Sequence, residues 1–540
     1  MKKTKTLIAS AILAASFGAM QVYAANVPAG VQLAKDQVLV KGGEGEPQTI
    51  DPQKVSGTPG SLRDRDLFEG LYSEGKDGVL VPGVAESYTV NKDHTVYTFK
   101  LRHDAKWSDG SPVTAEDFVF GFQRLVDPKT ASTYSYYAAL AGIKNAQNII
   151  DGKDKVSSLG VKALNAHTFQ VTLDHSVPYF VKMTVNSSLF PAPKKVIEKW
   201  GDAWTKPEHI VSNGAYKLES WVVNQQMVFV RNHDYWNDKK TVINKVVVLP
   251  IVDAAVEYSR YMAGDLDMTS NSGIPTNRYH ELLKTVPNQV KVSPALAVYY
   301  YDFNNQKPPF NDVRVRKALS YAIDRNIITK YVTGTGEIPA YSFTPPDVSG
   351  FKAKEPQYEK WTQAERNKKA QELLKAAGFD KSHPLNFTLL YNTNENHKKI
   401  AIAISAMWKK TLGVNVTLDN QEWKTFLNTR QLGNYQVARD GWFGDYNEAS
   451  TFLSLLDSTS SQNNAQYKNP AYDKLMDEAA KANNPAPYYQ KAEDLAIDQD
   501  MAVAPIYQYV TKRLIKPYVG GYMPNLEDNI YTRDMYIIKH

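Results

Sequence analysis

The 540-residue sequence contains no cysteine. That excludes disulfides, thiolate metal sites, a cysteine nucleophile and a lipid-modified cysteine after a leader. Beyond the first two dozen residues, no segment approaches the ~18 consecutive apolar residues that cross a bilayer. Charge bias is small: the formal charge is +6, and Lys2, Lys3 and Lys5 at the extreme N-terminus supply half of it. The remainder is too weakly basic to argue for nucleic acid or an anionic membrane surface. Catalytic signatures are missing as well. There is no GxSxG elbow, Walker-type loop, HExxH, or GxGxxG between strand and helix. Gly334-Thr335-Gly336 has too little around it to cradle a phosphate, and the ten histidines form no i, i+4 pair of the kind that binds zinc.

What is present begins with MKKTKTLIASAILAASFGAMQVYA. A basic start, an apolar stretch from about Leu7 to Met20 and a small-x-Ala ending predict a secretory signal peptide cleaved after about Ala24. An exported, cysteine-free chain without a lipid anchor is expected in the periplasm. The length exceeds what one hydrophobic core supports, so two or three domains are expected. Tyrosine is abundant, with 33 copies against 19 Phe and 9 Trp. Its apolar face and polar tip suit a wet recognition surface, and equally a core with hydroxyls at its edge.

Helical and strand patterns alternate throughout. VYTFKLR (Val96 to Arg102) alternates as a half-buried strand. Thr114 caps a helix with an apolar stripe of Phe118, Phe122 and Leu125, and Asp127-Pro128 ends it. Asp312 is read as the cap of a helix over Val313 to Arg325. Thr362 and Glu365 form a capping box before a helix that Gly378 stops. Further on, strands are predicted at Leu385–Tyr391, Val414–Leu418 and Tyr435–Ala438. Helices are predicted at His397–Lys410, with Ile400, Ile404 and Met407 inward and Ile402 at the margin, and at Trp423–Arg430. Such α/β alternation places ligands beyond the carboxyl ends of strands. Asn392 and His397 lie beyond the first of these strands, and Arg439 through Asp445 beyond the third.

The stretch GWFGDYNE (Gly441 to Glu448) holds three rings, two carboxylates and two glycines. A binding cleft uses such a set: flat apolar walls, backbone that approaches a ligand closely, and an anchoring charge. Asp445 and Glu448 also permit a carboxylate pair of the glycosidase type, though nothing else in the sequence supports their pairing.

This stretch, together with NQEWKTFL (Asn420 to Leu427), VPAGVQLA (Val27 to Ala34), RDLFEGL (Arg65 to Leu71), KWSDGSPVTAEDFV (Lys106 to Val119), SNGAYKL (Ser212 to Leu218), PPFNDVRVRKAL (Pro308 to Leu319) and MYIIKH (Met535 to His540), resembles the periplasmic oligopeptide-binding proteins of ABC peptide importers. The murein-peptide-binding proteins share many of the same stretches. The resemblance covers essentially the whole chain after the leader. It implies an α/β, periplasmic binding protein-like fold (type II, cluster C), with two lobes, a hinge and three domains. Domain I would combine residues 25–68, 194–296 and 512–540. Domain II would be inserted at 69–193, and domain III would be the second lobe at 297–511.

The resemblance further implies a monomer without catalysis or cofactor that captures short oligopeptides for an inner-membrane permease with ATPase subunits. Receptors for murein-derived peptides are the alternative within the family; an enzyme and a periplasmic chaperone are the alternatives outside it. By resemblance, Asp445 holds the peptide ammonium, and Gly441 and Phe443 pair with its main chain. Trp442 and Trp423 wall a side-chain pocket. Arg439, Arg430 and His397 are cations for the carboxylate end. Tyr134 contacts the ligand backbone, and Asn271, Asn392 and Thr58 complete the set. The resemblance also implies departures. A cysteine pair of the family falls on Ala297 and Phe443, rings fall on Ser270 and Ala295, a lysine on Thr333 and an acid on Ser56. These replacements are expected to strip rings and charges from the pocket rim.

Overall fold

The computed structural model describes residues 25–75, 78–380 and 382–540; the expected leader lies outside the described residues. Three sheets organise the chain, each built where the sequence alternates. Val38–Gly42 pairs in parallel with Lys245–Leu249, which continues antiparallel through Gln226–Arg231 to Tyr216–Val222. The partners in the parallel pair are far apart in sequence, because a second antiparallel sheet is inserted between them. That sheet has the order Ala85–Val90, Val96–Leu101, Thr168–Thr172, Val161–Asn165. Tyr97, Phe99 and Leu101 all point into its core. Helix Ala115–Val126 covers it, with Phe118, Phe122 and Leu125 fully buried. Each such side chain contributes about 1.5–3 kcal/mol on leaving water. The Asp117 carboxylate accepts from the Thr114 backbone N–H at 2.8 Å and closes the helix start.

The third sheet has six strands in the order Ile338–Pro339, Val503–Leu514, Val290–Phe303, Val437–Phe443, Asn386–Asn392, Asn415–Gln421. Helix Glu395–Leu412 buries Ile400, Ile404 and Trp408 and stops at Gly413, whose φ of 75° no β-branched residue tolerates. Met407 is half-buried, and Ile402 is exposed rather than marginal. The capping box at Thr362 and Glu365 forms, opening helix Gln363–Ala376.

Two long antiparallel strands connect the lobes. At one end Val290 faces Leu514, in a cluster with Leu249, Tyr261 and Leu266 of the first lobe. At the other end Tyr301 faces Ala504 in the core of the second lobe. Their register slips between Pro294 and Val298, a local irregularity where a twisted ribbon bends most easily. Both crossings of the chain therefore lie side by side. Beside them Lys512 forms a buried ion pair with Glu337 at 2.8 Å.

Two expectations are corrected. The strand expected to end at Ala438 begins at Val437 and runs to Phe443, so the first three residues of the aromatic motif are strand, while Gly444 to Glu448 are not. Pairing with Ala297–Phe303 extends it, and that partner is remote in sequence. A Cβ at Gly441 would lie 2.8 Å from the Tyr509 hydroxyl, so a larger residue there would displace that side chain. The helix expected over Val313 to Arg325 stops at Tyr321, and Asp324 caps a new turn at Arg325–Ile327.

The break lets Arg325 turn inward. Its buried guanidinium donates to the carbonyls of Ala340 and Pro505 at 2.7 and 2.8 Å and to Ser320 Oγ at 3.0 Å. Arg325→Met leaves these acceptors unpaired, at about 1–3 kcal/mol each. Urea denaturation of the ligand-free protein is expected to show at least about 3 kcal/mol lost. A loss below about 1 kcal/mol would mean that water replaces the guanidinium there.

Candidate ligand-binding site

Between the lobes lie two connected chambers. One, of about 150 Å³, is lined from the second lobe by Trp423, Arg430 and the run Arg439 to Asp445. Ser56, Thr58, Arg65, Tyr134 and Asn186 face them from the other side. The second chamber, of about 140 Å³, is lined by Glu44, Asn271, Asn392 and His397 among others. Thr58, Trp423, Arg439, Phe443 and Tyr509 line both. All twelve residues singled out from the sequence border one chamber or the other.

The strand Val437–Phe443 supplies the floor. Its neighbour Asn386–Asn392 pairs with it only at Val437 and Ala438. From Arg439 onward that edge carries no strand, the geometry that accepts an added strand. Gly441 N–H donates instead to the Asp440 carboxylate at 2.7 Å.

Asp445 follows at the end of this strand. Asn186 Nδ2 and the Tyr134 hydroxyl, both from the inserted domain, donate to its Oδ1 at 2.7 and 3.3 Å. Its Oδ2 is buried without a hydrogen-bond partner. Among the described residues it forms no ion pair. Burial first of all pushes its pKa up to about 7, against the lowering effects of Tyr134, Arg65 and Asn186. The rings around it also bridge the lobes. Tyr134 stacks on Trp442 at 6.2 Å, and Tyr179 on Tyr446 at 5.7 Å. Ser461 Oγ and Gln462 Nε2 donate to the Thr133 carbonyl at 2.7 and 2.8 Å.

The cation set is narrower than expected. Arg430 is held in a buried ion pair by Asp440, so its charge is already matched. His397 is pushed well below 6.5 by burial and then by Arg439, so it enters the cleft neutral. Arg439 remains: it donates to the Tyr509 hydroxyl at 2.7 Å and Asn392 Oδ1 at 3.3 Å, and forms no ion pair among the described residues. Asn271 Oδ1 accepts from Lys512 N–H, and Thr58 donates to Glu44. Of the expected departures, Ala297 and Phe443 face each other across the ladder, and Phe443 packs on Tyr509. Ser56 lines the Asp445 chamber, but Ser270, Ala295 and Thr333 line neither chamber. The Thr333 hydroxyl is spent inside its own helix, on the carbonyls of Ile328 and Thr329.

Five residues were missed by sequence reading: Asp440, Tyr509, Asn186, Arg65 and Glu44. The alternation of Tyr507 and Tyr509 in IYQYV was a usable signal for one of them. Nothing local marks the others.

Over residues 79–464 the chain matches the family described as bacterial extracellular solute-binding proteins, family 5. The chain belongs to that family. It is 52% identical to the periplasmic oligopeptide-binding protein of Salmonella typhimurium, over 99% of both chains. The oligopeptide-binding protein of Haemophilus influenzae, solved in complex with RPPGFSPFR, superposes with a TM-score of 0.92 at 47% identity, covering 94% of this chain and all of that one. The murein tripeptide-binding protein of Escherichia coli gives 0.92 at 50% identity, with the same coverage. Its unliganded open form gives only 0.66 at 49% identity, covering 95% of this chain and 99% of that one. The arrangement of the lobes here thus matches the peptide-complexed relative far better than the unliganded open form.

Closing thus encloses an unmatched carboxylate. In an open, wet cleft Asp445 titrates near the ordinary ~3.9. Its raised value in the closed state means that protonation favours empty closure as pH falls through about 7, while ionisation above that opposes it. The full difference is worth about 4 kcal/mol. Small-angle scattering of ligand-free protein is expected to show a smaller radius at pH 5.5 than at pH 8. Asp445→Asn should reduce that difference; an unchanged difference would assign it to other groups.

Proposed function

We propose that this protein captures short peptides in the periplasm and delivers them, closed, to an inner-membrane ABC permease with its ATPase subunits. The observation that carries this reading is Asp445: a carboxylate enclosed by closure, given two neutral donors and no cation. The α-ammonium of a peptide completes it. A charge-assisted contact sealed from water is worth ~2–4 kcal/mol. Arg439 lies along the same cleft as the cation for a carboxylate, with neutral His397 as a donor beside it. The unpaired strand edge from Arg439 to Phe443 offers main-chain hydrogen bonds, which every peptide can use whatever its side chains. Trp423, Trp442 and Tyr509 give flat walls of low specificity. These features bind and orient a ligand without arranging a nucleophile or an acid–base pair around its amides. Relatives named for oligopeptides and for murein tripeptide are almost equally similar to this chain, so cell-wall peptides are the second reading. Mass spectrometry of the ligand carried through purification separates the two.

Asp445→Ala is expected to weaken free tripeptides by roughly 10²- to 10³-fold, and N-acetylation of the peptide should do the same to the native protein. Equal calorimetric affinities for acetylated and free peptides would end the assignment of Asp445. Saturating peptide should also compact the native protein in solution at pH 8, where empty closure is disfavoured; an unchanged scattering curve would refute ligand-driven closure.

A further inference from the structure

Beyond Asp445 lies a larger cavity, of about 440 Å³, to which the reading above assigns nothing. It sits where all three parts of the chain meet. Glu74, Leu80 and Lys182 come from the inserted domain, Tyr446 and Asn447 from the second lobe, and Leu526 and Glu527 from the C-terminal tail. Glu527 lines this cavity and also the Asp445 chamber, so it stands at the partition between them.

Glu527 is only 8% exposed. Among the described residues no other residue gives its carboxylate a hydrogen bond or an ion pair. Its acidic neighbour Glu74 is better supported, accepting from Asn529 Nδ2 at 2.5 Å. Lys182 is exposed at the rim, and Arg65 lines the Asp445 chamber. Burial, and next the nearby Glu74, push the Glu527 carboxyl up to about 8, which Lys182 and Arg65 only partly offset. A buried acid in this condition is completed by a cation that brings its own donors.

We propose that this cavity is a subsite for a basic side chain on the ligand's amino-terminal residue, with Glu527 as its anchor. The inference rests on the peptide reading, because Asp445 must first fix the ammonium beside the partition. A volume in the range of small-molecule pockets accommodates a lysine or arginine side chain. The apolar parts of Tyr446, Leu526 and Leu80 line the path of its methylene stem. The site would thus add selectivity at one ligand position to a cleft that otherwise reads main chain.

The test is calorimetry on the mature protein with Ala-Ala-Ala, Lys-Ala-Ala, norleucine-Ala-Ala and Ala-Ala-Lys. Norleucine keeps the stem of lysine and removes its charge. Lys-Ala-Ala is expected to bind at least about tenfold tighter than norleucine-Ala-Ala, and Ala-Ala-Lys should gain no such advantage. Glu527→Gln, which preserves shape, should abolish the lysine advantage while Ala-Ala-Ala keeps its affinity within about threefold. No lysine advantage in the native protein would overturn the subsite, and so would an equal advantage at the third position or one that survives in Glu527→Gln. Binding of Ala-Ala-Ala in those cases leaves the peptide reading standing. Failure of every tripeptide would overturn that reading and the subsite with it.

Discussion

The structure turns on a buried negative charge that the protein does not neutralise. Asp445 is carried on one lobe and held by Tyr134 and Asn186 of the other. Two of the hydrogen bonds between the lobes are therefore made to a group that burial penalises. A protein that matched this charge with its own lysine would close as readily empty as full. Left unmatched, the carboxylate suits the proposed role of meeting a cation supplied from outside. Elsewhere several buried charges are matched: Arg430 with Asp440, Lys512 with Glu337, Arg513 with Asp528. Among the described residues Asp445 and Glu527 form no such ion pair, and both line the chamber between the lobes.

Permissive recognition follows from the same economy. The cleft presents a strand edge, two charged ends and aromatic faces, and these match what all peptides share. The resemblance places a cysteine pair of the family on Ala297 and Phe443. Ala297 and Phe443 oppose each other in the ladder, and backbone pairing with apolar packing holds the strands there.

The hinge is compatible with this chemistry because both connections share one ribbon. Val290–Phe303 and Val503–Leu514 cross together, with their register slip near the crossing. Two strands that cross at one place form a single connection about which the lobes can rotate as bodies, and Tyr134 and Asn186 together meet Asp445.

The leader pattern, the α/β alternation, the helix caps at Thr114, Thr362 and Gly413, and the inward faces of the helices follow from local periodicity and from the conformational limits of single residues. The sequence by itself determined these, and its resemblance to a family named twelve of the residues that border the cleft. It could not determine which of their charges are free. Arg430, Arg439 and His397 read alike as cations in one dimension. Only packing shows that Asp440 occupies the first, that burial neutralises the third, and that Arg439 alone is left. Nor could it extend the strand through Gly441 to Phe443, because the partner strand that imposes the extension lies far away in the chain. Glu527 is likewise an ordinary tail residue until the fold sets it beside Glu74 at the wall of the cleft. Charge pairing and desolvation depend on distance in space, and spacing along the chain does not record it.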